Sequence, residues 1–327
     1  MKLREAVETY HEKLMAMKEE VKRFIFGQDH AIEGVIKAII CNGHVLLEGV
    51  PGTAKTVMLL TIARTIEGAK FSRIQFTPDL LPSDITGITI YREETKSFEV
   101  QLGPIFANIV LADEINRTPP KVQSAMLEAM QERQVTIGKK TFKLPEPFFV
   151  IATQNPLEQQ GTYPLGEAQK DRFIFKVLVG YPKEEEEEKI IDVNMNVKRM
   201  SEFGIEQVVT TKEILAMQEA VKKIYSSDEI KEYILNIVEA TRYPEKYGIK
   251  TGRYIRWGAS PRASIFLNLA AKANALFNGR DFVIPEDVIE IAPHVLRHRI
   301  ILNYEGRAKG IKTDEIVEEI LRKVEIV

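Results

Sequence analysis

The sequence predicts an α/β domain built on a parallel sheet and followed by an α-helical domain, on three observations. From His44 to about Val179, short β-branched or aromatic runs alternate with helical patterns, the signature of a parallel sheet flanked by helices. A Gly-rich turn, Gly49 to Thr56, joins the first of these strands to a helix. After Gly180-Tyr181-Pro182 the strand signal disappears and helical periodicity takes over, which places a domain boundary near residue 182. The expected domains are therefore 1–182 and 183–327.

The opening residues mix charged and apolar positions at helical spacing, so they read as an amphipathic helix and not as a secretory signal. The candidate strands are Val45–Leu47, Phe71–Phe76, Ile109–Ala112, Phe148–Ala152 and Phe173–Val177. Two segments break the α/β rhythm by alternating in period two around polar turns. They are Ile88–Leu102, turning at Arg92–Ser97, and Val135–Leu144, turning at Gly138–Lys140, and both read as inserted β-hairpins. The acidic run Glu184–Glu188 opens a helix, where negative side chains complement the dipole. His294 and His298 lie four apart, but Arg297 and Arg299 crowd them, and the expectation is a solvated basic helix end, not a metal pair.

With 327 residues, 44% apolar and 28% charged, the chain has the composition of an ordinary soluble globular protein with room for two domains. A formal net charge of −2 exerts no global pull on nucleic acid or acidic lipid, so such binding would need a local patch. The single cysteine, Cys41, lies in an apolar stretch and reads as a structural thiol of a reducing compartment. No uncharged apolar run reaches the roughly 18 to 20 residues that span a bilayer. The expected location is the cytoplasm.

The segment HVLLEGVPGTAKT sets an apolar strand directly before a Gly-rich turn and a helix that starts near Lys55. Such a turn can wrap a phosphate with backbone N–H groups from Gly49, Val50, Pro51, Gly52, Thr53 and Ala54 around it, less the proline's, and the helix adds its positive end. Lys55 would reach the β- and γ-phosphates of a nucleotide, and Thr56 would offer its hydroxyl to Mg²⁺. Ala54 stands where the usual pattern has glycine, a departure of one methyl. About sixty residues on, NIVLADE ends in Asp113 and Glu114. Asp113 is a natural partner for Mg²⁺ through water, and Glu114 can polarise an attacking water. The strand in FFVIATQNP ends at Asn155, which is either a polar sensor of the γ-phosphate or a plain turn.

Taken together, GVPGTAKT at 49–56, ADEINRTPPKVQSAMLEAMQERQVTIG at 112–138, ATQNP at 152–156, GTYPLGEAQKDRF at 161–173 and GASPRA at 258–263 resemble the MoxR branch of the AAA+ ATPases. The resemblance runs from Phe26 through the C-terminal helices. It implies an AAA+ sheet of strand order 5-1-4-3-2, with a helix-2 insert, a pre-sensor-1 β-hairpin and a helical lid. It also implies ATP and Mg²⁺ as cofactors, ATP hydrolysis, and a ring, expected to be a hexamer, with each nucleotide shared between neighbours.

In that frame Asn155 matches sensor 1, Arg172 the arginine finger supplied to a neighbour, and Arg262 the sensor-2 arginine of the lid. A finger in trans is worth about 10³ to 10⁵ in rate. Arg117 is either a second interface arginine or the partner of a nearby carboxylate. Phe26, Gly27 and Gln28 resemble a box that packs on adenine, or are simply a helix start. MoxR relatives commonly act with von Willebrand factor A domain proteins, which makes a chaperone-like remodeller, or a device for metal insertion, the leading function. A nucleic-acid motor is the alternative, on the locally basic Lys139, Lys140 and Lys143, and a nucleotide-gated scaffold is the third.

Overall fold

The computed structural model describes residues 3–50, 52–53, 55–94, 96–155, 161–194 and 204–326. An amphipathic helix, α1 (Leu3–Lys22), buries Val7, Leu14, Met17 and Val21, and leads into the largely buried α2 (Asp29–Ile40). Strand β1 (Val45–Gly49) precedes α3 (Lys55–Arg64), the short β2 (Ile66–Glu67), β3 (Phe71–Gln75) and α4 (Pro82–Thr86). Then come the first hairpin, β4 (Gly87–Arg92) with β5 (Ser97–Leu102), β6 (Ile109–Asp113) and α5 (Pro120–Glu132). The second hairpin, β7 (Gln134–Ile137) with β8 (Lys140–Lys143), leads to β9 (Phe149–Gln154), α6 (Glu167–Lys170) and β10 (Phe175–Val179).

Among the described residues the remainder is helical apart from three short strands. It comprises α7 (Glu184–Asn194), β11 (Val209–Thr210), α8 (Thr211–Lys223), α9 (Asp228–Arg242), β12 (Ile255–Trp257) and α10 (Pro261–Phe277). It ends with α11 (Pro285–Leu296), β13 (Ile301–Leu302), α12 (Tyr304–Ala308) and α13 (Thr313–Lys323). Among the described residues no helix is long and apolar enough to cross a membrane.

The central sheet has the order β10-β1-β9-β6-β3 with every pairing parallel. Numbered among themselves, its five strands run 5-1-4-3-2, as expected, and both hairpins form where the period-two alternation places them. The pleat divides the core into two layers. Val45, Leu47, Ile109, Leu111, Ile151, Phe175 and Val177 face α1–α3 and the later helices, whereas Leu46, Val110, Ala112, Val150 and Ala152 face α5 and the second hairpin. The first of these clusters is continuous across residue 182, because α1 packs on α8 and α10.

Seven strand limits of the central sheet shift, four of them by two residues: the ends of β1, β9 and β10 and the start of β10. β10 starts two residues after Phe173, because the Phe173 N–H closes the turn from α6 by donating to the Lys170 carbonyl, and only the Ile174 N–H turns to His44 of the sheet edge. β9 runs two residues past Ala152, since Thr153 and Gln154 still pair with Leu47 and Glu48.

The run from His294 to Arg299 corrects a sequence expectation. It is no solvated helix end, for His294, His298 and Arg299 are all buried. His294 packs against His30 and Phe175, with ring centroids 4.4 and 5.9 Å away, and His298 Nε2 meets the Phe173 carbonyl at 3.0 Å. Arg297 binds Asp314 at 2.9 Å and the Lys176 carbonyl at 2.7 Å. The charges are tolerated inside because carboxylates and backbone carbonyls from β10 and α13 meet them, which sequence spacing does not reveal.

Candidate functional site

β1 delivers the chain into the phosphate loop through Gly49. A Cβ there would lie 2.3 Å from the Val179 carbonyl oxygen of β10, so the strand end admits only glycine. Gly52 adopts a left-handed φ of +83°. The loop is braced by Thr53 Oγ1, which donates to the Val50 carbonyl at 2.9 Å. Lys55 opens α3, and its Nζ donates to the Gly49 and Val50 carbonyls, each at 2.7 Å. Burial lowers the pKa of this ammonium, against the pull of the nearby Asp113 and Glu114 carboxylates. Pro51 and Ala54 lie outside the described residues.

At the end of β6 the two acids diverge. Asp113 is the last residue of the strand, and Glu114 turns into the left-handed region at φ 57°, ψ 50° before a short 3₁₀ turn. A non-glycine residue is uncommon there and is held at some cost by its surroundings. Thr153 of β9 supplies that hold. Its hydroxyl accepts the Glu114 N–H at 2.8 Å and donates to Asp113 Oδ1 at 2.7 Å, so one side chain fixes both acids.

The other Asp113 oxygen, Oδ2, takes Arg73 Nη2 at 2.6 Å and Nε at 3.0 Å. Glu114 Oε2 receives Gln75 Nε2 at 3.1 Å and Arg117 Nε at 3.0 Å. Of the two roles open to Arg117, the geometry shows the pairing with a carboxylate of its own chain. Asn155 is buried just beyond β9.

Gly52, Thr53, Lys55, Thr56, Asp113, Glu114 and Asn155 line one cleft of about 490 Å³, together with Val57, Thr153 and Gln154. A cleft with an ammonium, a helix start and two acids suits a phosphorylated ligand with a cation. The hydroxyl of Thr56 and the carboxylate of Asp113 are hard oxygen donors, which fit Mg²⁺ better than a soft metal. No motif contains Arg73 or Gln75, and Thr153 lies within ATQNP without a role assigned to it. The one signal is the period-two placement of Arg73 and Gln75 in FSRIQF, two polar positions facing the same way on a strand.

The remaining candidates lie elsewhere. Gln28 Nε2 donates to the Gly180 carbonyl at 2.9 Å, and Gly27 has φ +70° and sits where an added Cβ would run into Glu186 and Pro182. Phe26 to Gln28 thus sit where β10 ends, next to the start of the phosphate loop, but not in the lining of the cleft.

Arg172 donates to the Leu127 carbonyl at 3.0 Å and shares a second cleft with Arg262, His44 and Arg133. His44 precedes β1 while Gly49 ends it, so a strand of roughly 16 Å separates this arginine face from the phosphate loop. Asp171 ties the face together. It binds Arg299 Nε at 2.8 Å, the Ser260 hydroxyl at 3.1 Å and Arg262 Nη1 at 3.4 Å. Buried Arg299 also donates to the carbonyls of Asp171, Phe173, Ile174 and Val295, thereby fixing the backbone on both sides of Arg172. Burial lowers its pKa to about 10, with Asp171 opposing.

Comparison with known proteins bears on the cleft. The family described as "ATPase family associated with various cellular activities (AAA)" matches residues 44–175, and the "AAA lid domain" matches 250–320. The chain is 50% identical to Chaperone MoxR1 of Mycobacterium tuberculosis over 93% of its own length and 80% of the relative's. It is 31% identical to Protein MoxR of Methylorubrum extorquens, covering 91% and 90% of the two chains. A solved structure from Cytophaga hutchinsonii, described provisionally as an ATPase, shares 48% identity and superposes with a TM-score of 0.91 over 99% of this chain and 97% of that one.

Proposed function

Since the chain belongs to the MoxR family of AAA+ ATPases, we propose that it hydrolyses Mg²⁺-bound ATP within a ring of identical subunits in the cytoplasm, and that turnover remodels or activates partner proteins. Lys55 neutralises the β- and γ-phosphates, while Thr56 and Asp113 would hold Mg²⁺. Glu114 takes a proton from the attacking water, and Asn155 orients that water against the γ-phosphate. The metal, when bound, offsets charge that develops on the transferring phosphoryl group. Phe26, Gly27 and Gln28 flank the adenine. Residues 1–182 form the nucleotide-binding domain and 183–327 the lid.

The convergence of Lys55, Thr56, Asp113, Glu114 and Asn155 in one cleft carries this reading. The placement of Arg172 in a second cleft, about a strand length from the phosphate loop, supports the ring, because it leaves this arginine available to a phosphate held by another copy. Lys55→Ala is expected to abolish binding of a fluorescent ATP analogue, and Glu114→Gln to keep binding while stalling phosphate release. A Glu114→Gln protein that turned over at the parental rate would sink the base assignment. Mixing Arg172→Ala with Lys55→Ala subunits is expected to recover activity, and no recovery at any ratio would refute shared sites.

A relative named as a chaperone supports protein clients. We assign the clients to von Willebrand factor A domain proteins, with metal insertion as one form of activation and six subunits as the ring size. Pull-down with the Glu114→Gln trap from the native cell tests the first, and light scattering of the nucleotide-bound protein tests the last. The exposed Lys139, Lys140 and Lys143 on the second hairpin are the feature that favours a nucleic-acid motor among the described residues. Titration with single- and double-stranded DNA at two salt concentrations discriminates, since phosphate contacts give steep salt dependence.

A further inference from the structure

Arg73 belongs to none of the motifs, yet it makes the closest contact to the Asp113 carboxylate. It lies on β3, the edge strand beside β6, two residues before Gln75, which sits in register with Asp113. From there the guanidinium reaches forward along the strand and places both Nε and Nη2 on Asp113 Oδ2, at 3.0 and 2.6 Å. Nη2 also donates to Gln75 Oε1 at 2.8 Å, which fixes the plane of the group. Thr153 already occupies Oδ1, so both Asp113 oxygens are engaged by the protein itself.

The two partners differ in exposure. The Asp113 side chain is 11% exposed and the Arg73 side chain 50%. An ionised carboxylate so buried is stabilised by a counter-charge, whereas a half-exposed guanidinium can leave and be solvated at little cost. A dication approaching Asp113 meets a full positive charge on the same oxygen.

We propose that Arg73 is a positioning residue that acts as the resident counter-ion of Asp113 and yields it to Mg²⁺, thereby setting the Mg²⁺ concentration at which nucleotide is held. This deepens the assignment of the cleft to Mg²⁺-nucleotide and rests on it. Arg73 keeps Asp113 aimed while competing for it. Its removal frees the carboxylate and removes a repulsive charge, so metal binds more readily.

The test is binding of N-methylanthraniloyl-ADP to the full chain, titrated with MgCl₂ and with EDTA present as the metal-free arm. Arg73→Gln is expected to lower the half-saturating Mg²⁺ by about twofold to fivefold, the range of a partly solvated ion pair. Arg73→Lys, which keeps the charge but loses the two-point contact, is expected to fall between Arg73→Gln and the wild type. Metal-free affinity should be unchanged, and far-UV circular dichroism should show both variants folded.

An unchanged or raised half-saturating Mg²⁺ overturns the proposal, and so does a loss of metal-free affinity in Arg73→Gln, which would make Arg73 a phosphate ligand. With the wild-type Mg²⁺ response intact, either result refutes the Arg73 assignment alone. A wild type that binds no nucleotide, or binds it without any response to Mg²⁺, refutes the cleft assignment and the proposal with it.

Discussion

His44, the residue that feeds β1 into the phosphate loop, ties the stability of the domain to pH. Its ring is buried between Phe148 and Phe149, with Nε2 meeting the Met130 carbonyl at 3.0 Å and Nδ1 accepting the Val150 N–H at 3.0 Å. Those partners specify a neutral imidazole with its proton on Nε2, and a second proton would cost the Val150 bond. Burial, reinforced by the nearby Arg133 guanidinium, pushes the pKa down to about 3, with the Met130 carbonyl opposing.

An unfolded histidine titrates near 6.5, so between pH 6.5 and 3 the unfolded chain binds a proton that the folded chain refuses. Stability contributed by this group is therefore complete above pH 6.5 and is lost as pH falls, by about 2 kcal/mol at pH 5. Urea unfolding at pH 7.5 and pH 5.0 measures the loss, and His44→Gln isolates it. The variant is expected to be less stable at pH 7.5 by about 1–3 kcal/mol, through an imperfectly paired Val150 N–H, but to lose about 2 kcal/mol less than the wild type on acidification. Burial holds His294 and His298 low as well, so a pH dependence remains in the variant, and the difference between the two proteins is the readout. Equal pH slopes in both proteins, or an imidazole resonance of His44 titrating above pH 5, would refute the reasoning.

Two further substitutions probe the hydrogen bonds that hold the arginine face and the acids. Thr153→Val keeps the shape but deletes the hydroxyl shared by Glu114 N–H and Asp113; steady-state kinetics should show kcat reduced about tenfold or more with nucleotide affinity nearly intact, and Thr153→Ser should restore most of it. A Thr153→Val enzyme with parental kcat would remove Thr153 from the site. Asp171→Ala leaves the buried Arg299 guanidinium without a carboxylate, held only by backbone carbonyls, His298 and the Phe266 ring, which should cost about 3 kcal/mol in urea unfolding. A cost below about 1 kcal/mol would mean that these partners suffice.

Most of the sheet and half of the site are legible in the sequence, because their signals are local. Strand positions follow from short apolar runs, the hairpins from period-two alternation around polar turns, and the phosphate loop from contiguous residues at a strand-to-helix junction. Asp113 and Glu114 declare themselves because an apolar strand that ends in paired acids is costly without a cation or a reaction to serve. Strand ends are less legible, since they depend on which N–H reaches which carbonyl, as Phe173 and Lys170 show.

By itself the sequence determined which chemical groups this protein carries and the elements that bear them. Tertiary structure alone decided their partners: Arg73 and Thr153 on Asp113 from 40 residues away, and Arg299 on Asp171 across 128. It also decided that the basic run ending at Arg299 lies inside, where spacing suggests a solvated surface. The physical reason is that burial and ion pairing depend on which elements become neighbours when the sheet assembles, and a parallel sheet joins strands that are far apart in the chain.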